Sequence, residues 1–169
     1  VLDTISPSLV TRNITVQLGA TGLATISPSQ LDSASADNCS NLLFFNASKT
    51  SFSCSDLGLN NVLVTATDVQ GNSTSKTAVV TVEDNIAPSV QTKTATIYLN
   101  ASGLASLNKA MVNNGSSDNC GIDTMWLSQQ TFDCTKLGQN SIQLLVKDVS
   151  GNQNSSSVTI SVMDTISPN

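Results

Sequence analysis

A chain of 169 residues with net charge −5, only 11% charged residues and no histidine lacks the parts for several functions. Its few lysines and arginines form no clustered footprint for nucleic acid, and no apolar run approaches the roughly 20 residues needed to span a bilayer. Without histidine, Ser-His-Asp and Cys-His catalysis are excluded, and so is the commonest general base. The expectation is therefore a chain without nucleic-acid partners, without membrane insertion in this segment, and not an enzyme.

Taken in chain order, the first segment carries Asp3 and Pro7 in "LDTISPS". Residues 10–18, "VTRNITVQL", alternate with period two and end at the turn signal "GATG". Residues 23–31, "LATISPSQL", read as the return strand, with Pro28 marking a bulge or an edge. A polar loop, "DSASADNCS", leads to the short apolar run "LLFF" at 42–45. Residues 61–68 and 77–83 form a closing hairpin around "VQGN", where Gly71 supplies positive φ. Nothing reads as a helix longer than a turn.

The same pattern then starts again. Asp37-Asn38-Cys39 recurs as Asp118-Asn119-Cys120, Phe52-Ser53-Cys54 as Phe132-Asp133-Cys134, and "DVQGN" as "DVSGN". "DTISP" opens the chain, "DNIAP" sits in the middle and "DTISP" returns at the end, so Pro7, Pro88 and Pro168 punctuate copies of one module. The fold expected is all-β, two tandem immunoglobulin-like β-sandwich domains over 1–83 and 84–169, each with one intradomain disulfide. The first and last residues fall inside the same linker motif, which suggests a segment of a longer array. Prolines restrict the linker and the residue before it, so the array is expected to form a stiff rod.

The repeat also suggests a cysteine pairing. Four cysteines allow three connectivities, and the one that respects the duplication is Cys39 with Cys54 and Cys120 with Cys134. Closing a loop of about 15 residues would stabilise a small domain by roughly 3 kcal/mol and would imply an oxidising compartment. The competing reading, a thiolate metal site, lacks ligands, because two cysteines and no histidine per copy cannot complete four-coordinate zinc.

The acids suggest calcium. Asp3, Glu83, Asp84 and Asp164 lie at the linkers, and Asp37 and Asp118 lie in loops able to fold over them. Calcium takes six to eight oxygens, and such a set would fix the angle between domains. The plainer reading is that aspartates cap turns through their own backbone, a role that suits Asp68 and Asp148 best. Phe45 and Trp126 align after the first cysteine of each copy and are expected in the core beside the disulfide, with an exposed Trp126 stacking on a sugar as the other option. Tyr98 is expected to face solvent.

In order and spacing, "D-x-I-x-P", "DNC", "F-x-C", "LG-x-N" and "D-V-x-GN", twice over, resemble the hyalin-type and related immunoglobulin-like repeats of large Bacteroidota surface adhesins, including the gliding-motility adhesin. The resemblance covers essentially the whole chain. It implies secretion to the cell surface, a non-catalytic structural and adhesive role in surface attachment, and partners among extracellular surfaces or glycans and neighbouring repeats. It also implies O-glycosylation at Asp-Ser/Thr sites, here Thr4, Ser33, Thr124 and Thr165. The alternative is a carbohydrate- or receptor-binding module with a specific loop site.

Overall fold

The computed structural model describes residues 2–166; Pro168, the third linker proline, lies outside the described residues. The chain divides into two compact units, Val1–Asn85 and Ile86–Asn169. In the first, β1 (Ile14–Gln17), β6 (Ser73–Glu83), β5 (Gly58–Thr67) and β3 (Phe44–Ala47) form one sheet in that order, and β2 (Leu23–Thr25) pairs with β4 (Ser51–Ser53) in a second. The second unit repeats this as β7 (Ala95–Tyr98), β12 (Gln153–Met163), β11 (Gly138–Asp148) and β9 (Ile122–Leu127), with β8 (Leu104–Ser106) paired to β10 (Thr131–Asp133). Each unit is thus an immunoglobulin-like β-sandwich. The first strand lies parallel to the last in both (Ile14 opposite Val80, Ala95 opposite Ile160), and every other pairing between these strands is antiparallel.

The long β5–β6 hairpin organises the first unit. Val62, Val64 and Ala66 point inward from β5 and meet Ala78, Val80 and Val82 of β6, all buried, while the residues between them face outward. Period-two alternation is what a strand with one wet face requires. Phe52 of the small sheet closes over them with Leu18, Ile26 and Leu31. The second unit builds its core from the matching set, including Leu99, Leu107, Val112, Phe132, Ile142, Leu144, Val146, Val158, Ile160 and Val162.

Three expectations shift. The return strand at 23–31 stops at Thr25, because Pro28 opens a single 3₁₀ turn (Pro28–Leu31) in which Gln30 Oε1 accepts from the Ser27 amide at 2.8 Å. Proline suits the first helical position, and the turn drops Leu31 into the core, fully buried. The second copy does this with the short helix α1 (Lys109–Val112), capped by Asn108 Oδ1 accepting from the Ala110 amide at 2.9 Å. The run 42–45 is not a buried strand: Leu42 and Phe44 are exposed. Phe45 and Trp126 are only half-buried and face opposite ways: Phe45 sits opposite the buried Ala66 on the inner face of its sheet, whereas Trp126 sits opposite the half-buried Leu145 on the outer face. The core aromatics are Phe52 and Phe132 instead, while Tyr98 is exposed as anticipated.

The intradomain disulfides are not formed. Cys39 and Cys134 are free and exposed, whereas Cys54 and Cys120 are disulfide-bonded. The reason is the path of the chain. Between Cys39 and Cys54 it runs the length of β3, crosses to the small sheet along β4, and turns at Cys54–Asp56 immediately before β5 begins. Cys39 sits instead near Asp68, just past the far end of β5. Ten residues of strand separate those ends by about 33 Å, and a disulfide needs Cα atoms within roughly 7 Å. Cys120 and Cys134 are divided by β11 in the same way.

The small, unstapled core makes Phe52 costly to lose: Phe52→Ala should destabilise the first unit by about 3–5 kcal/mol, read as a lower urea midpoint, while the surface change Leu59→Ala should stay within about 0.5 kcal/mol.

Candidate metal centre

Each unit has a leading end, where the linker enters beside the β5–β6 or β11–β12 turn, and a trailing end, where the last strand leaves. At the leading end of the first unit the turn is held by one carboxylate. Asp68 Oδ1 accepts from the amides of Gln70 and Asn72, each at 2.8 Å, and Oδ2 accepts from Asn72 Nδ2 at 2.8 Å. Gly71 takes φ +94° within this turn. Asn72 Nδ2 also donates to the backbone oxygen of Asp3 at 3.1 Å, which ties the incoming segment to the hairpin. The second turn repeats the pattern: Asp148 Oδ1 accepts from Ser150 and Asn152 amides at 2.9 and 2.8 Å, and Oδ2 from Asn152 Nδ2 at 2.8 Å.

Turn capping is therefore what Asp68 and Asp148 do, but it is not all they do. Asp68 brings its carboxylate together with those of Asp3 and Asp37, one oxygen from each lying within 4.8 Å of the others. In the second unit Asp118 and Asp148 occupy the matching loop and turn. Asp68, Asp84 and Asp148 are buried. Asp3, Asp37 and Asp118 each use one oxygen locally and keep the other back. Asp3 Oδ1 accepts from the Ile5 amide at 3.0 Å, and Asp37 Oδ2 accepts from the amides of Cys39 and Ser40 at 3.0 and 3.1 Å. Their second oxygens, Asp3 Oδ2 and Asp37 Oδ1, are buried with no hydrogen-bond partner, as is Asp118 Oδ2 in the second copy.

Buried carboxylate oxygens are normally satisfied, and three negative groups this close repel. No lysine or arginine pairs with Asp3, Asp37 or Asp68 among the described residues, where the ion pair seen is Lys49–Asp56. The all-oxygen donor set is of the kind a hard cation fits, and calcium accepts such sites with backbone oxygens and water completing the shell.

The other acids expected at such a site lie elsewhere. Glu83 ends β6 at the trailing end, is exposed, and accepts from Gln17 Nε2 at 2.7 Å. Asp164 makes the same local turn as Asp3, accepting from the Ile166 amide at 3.0 Å, but it is exposed and joins no acidic group among the described residues. Asp68 and Asp148 were the members that sequence reasoning assigned only to turns; their signal was the repeat of "DV-x-GN" beside a chain otherwise poor in charge. Local desolvation, and then the carboxylates of Asp3, Asp37 and Asp68, hold the Cys39 thiol above its usual range. Thr4, Ser33, Thr124 and Thr165 are all exposed. In the second unit Ser106, Leu107, Asn108, Lys109, Met125 and Gln130 line an open cleft of about 330 Å³.

No family model matches the chain, and no curated protein does. Among solved structures it is similar to human protocadherin-24 EC1-2, at 13% identity over 96% of this chain and 100% of that one, with TM-score 0.49. It is also similar to Sidekick-1 immunoglobulin domains 1–4 (10% identity, 94% of this chain, 49% of that one, TM-score 0.46) and to mouse cadherin-23 EC22-24 (14%, 94%, 67%, TM-score 0.42). At these values the likenesses assign neither function nor ligand. No helix among the described residues is long and apolar enough to cross a membrane.

Burial opposes ionisation of Asp68, but the hydrogen bonds from Asn72, Gln70 and Gly71 outweigh it and hold its carboxyl below the ordinary range. A depressed folded-state value adds stability that is complete above the unfolded value of about 3.9 and is lost as pH falls through the folded one. Asp56 and Asp133 shift the same way, through Lys49 and Thr135, so the difference between chains isolates Asp68. Asp68→Ala should lower the melting temperature at pH 7, and the gap from the parent chain should narrow as pH drops below about 3.9.

Proposed function

We propose that this chain is a non-catalytic structural and adhesive repeat module of a large secreted surface adhesin, in which each repeat holds one calcium ion at its leading end. The carrying observation is the three-acid group of the first unit, with buried carboxylate oxygens left unpartnered on Asp3 and Asp37, and the matching unpartnered oxygen of Asp118 in the second. Asp3, Asp37 and Asp68 would hold the ion in the first repeat, and Asp118 and Asp148 would contribute in the second. The ion would supply charge neutralisation and rigidity: it would clamp the linker segment to the β-hairpin turn and to the cysteine-bearing loop. Duplicating a whole β-sandwich with its site builds length and presents many weak contacts, which add up through effective concentration. The residue order that resembles the Bacteroidota hyalin-type repeats supports placing the parent chain at the cell surface, in attachment and gliding motility.

A specific carbohydrate-binding role is favoured by one feature, the polar cleft at Asn108, Lys109 and Gln130. A glycan array probed with the chain separates the readings: a structural repeat gives no selective signal, and Lys109→Ala would abolish one that arises from the cleft.

Calorimetric titration with calcium chloride should give two ions per chain, with Kd of about 10⁻⁴–10⁻³ M, as in extracellular modules. At ten times Kd the ion adds about 1.4 kcal/mol, hence roughly 6–11 °C in the melting temperature of a domain this size. Asp37→Asn should reduce the stoichiometry to one. An unchanged melting temperature between calcium and chelator would reject the metal centre.

A further inference from the structure

Asparagine is abundant in this chain, and many of its side chains are tied to the backbone. Asn13 Oδ1 accepts from the Val79 amide at 2.8 Å, Asn108 Oδ1 accepts from the Ala110 amide at 2.9 Å, and Asn140 Nδ2 donates to the Lys136 carbonyl at 2.7 Å. Asn114 is different. It is exposed, its side chain makes no hydrogen bond among the described residues, and of the asparagines from Asn13 to Asn154 it alone precedes a glycine. Gly115 is exposed as well; it takes φ +86°, and a Cβ placed on it would meet nothing within 4 Å. Its backbone N–H has no hydrogen-bond partner among the described residues, although the residues on either side are held. The Asn114 amide donates to the Gln91 carbonyl at 2.9 Å, and the Ser116 amide donates to Asn113 Oδ1 at 3.0 Å. The first unit makes the same turn without the pair. The Ser35 amide donates to Asp32 Oδ1 at 3.1 Å, and Ser35 Oγ accepts from the Val10 amide at 2.9 Å, as Ser116 Oγ accepts from that of Gln91 at 3.0 Å. Between them stand Ser33 and Ala34, neither with positive φ.

We infer that Asn114 is a site of spontaneous deamidation, at which the Gly115 backbone nitrogen closes a five-membered succinimide ring on the Asn114 side chain. Asparagine is a thermolabile residue, and this reaction needs a next residue that is flexible and whose N–H is unclaimed. Glycine has no Cβ to crowd the approach and takes either sign of φ at little cost. The Gly115 nitrogen, having lost its proton, attacks Asn114 Cγ; the N–Cγ bond forms and the Cγ–Nδ2 bond breaks. Nδ2 leaves as ammonia, with its own two hydrogens and that proton. Water then opens the ring at Cγ to give aspartate, or at the backbone carbonyl to give isoaspartate, in which the chain runs through the side-chain carbon. Nothing is oxidised or reduced. An amide and a water become a carboxylic acid and an ammonia, which at neutral pH makes a chain of net charge −5 more negative by one. The new carboxylate enters the same loop as Asp118. The site rests on the turn alone and stands whether or not calcium binds.

The test ages the purified chain at mildly alkaline pH and body temperature. It is read by intact mass, by mapping of reduced tryptic peptides, and by methyl transfer from a protein isoaspartate methyltransferase. A species heavier by the difference between an amide and an acid should accumulate, with the change located at Asn114 in the peptide 110–136 and with both aspartate and isoaspartate present. The peptide 13–49, which carries the first unit's turn, should stay unconverted over the same period. Because the fold leaves the pair open, the folded chain should convert within about tenfold of the rate of the same chain unfolded in urea. Gly115→Ala should slow conversion by about tenfold or more. Alanine is strained at φ +86°, so Asn114→Ser, which places the first unit's residue there, is the second variant and should remove both the heavier species and methyl acceptance. Slower conversion of the folded chain than that margin allows, or a mass change located at Asn113 or Asn119, would overturn the inference.

Discussion

The antiparallel pairing of two strands ten or eleven residues long, β5 with β6 and β11 with β12, is the constraint on which each unit depends. It buries one face of each strand and so supplies about half of the core in a domain with few aromatics. It also holds the two ends of the sandwich about 33 Å apart. Everything chemical in the chain is sorted by that separation. The acids collect at the end where the hairpin turns, and Cys54 and Cys134 sit at the opposite end where the hairpin begins. A linker aspartate reaches the acidic end because Asn72, itself fixed by Asp68, donates to the Asp3 backbone.

Asp68 shows how one side chain can serve the fold and a site together. The turn gives two hydrogen bonds to Oδ1 and one to Oδ2, which holds its carboxyl below the ordinary range although it is buried. That fixed negative charge is what Asp3 and Asp37 meet when the linker and the loop close over the turn. Each of those two spends one oxygen on its own backbone turn and leaves the other facing inward. Local Asx geometry thereby orients the free oxygens without any further scaffold. The same division of labour recurs at Asp118, so the arrangement belongs to the module and is not an accident of one copy.

The absence of an intradomain bridge changes what the cysteines mean. A staple inside the domain would have compensated for a small core. Instead the core stands on the buried side chains of Phe52, Val62, Val64 and Val80, and the free sulfurs of Cys39 and Cys134 lie exposed at the extremities. An exposed, end-placed thiol adds nothing to the packing of its own sandwich.

Much of this was legible in the residues. Period-two alternation in "NVLVTATD" and "TAVVTVE", the "VQGN" turn with its positive-φ glycine, and the repeated order and spacing of the motifs determine an all-β chain of two like units, because alternation and turn chemistry are local. Asp3, Asp37, Asp84 and Asp118 stood out by their repetition. Sequence spacing could not show that 15 residues between cysteines would be spent on a full strand and a change of sheet, which carries the two sulfurs apart. Nor could it show that Asp68, a capping residue by every local sign, would face Asp3 from 65 positions away. Both outcomes depend on which strand pairs with which, and pairing is decided by burial summed over the whole domain.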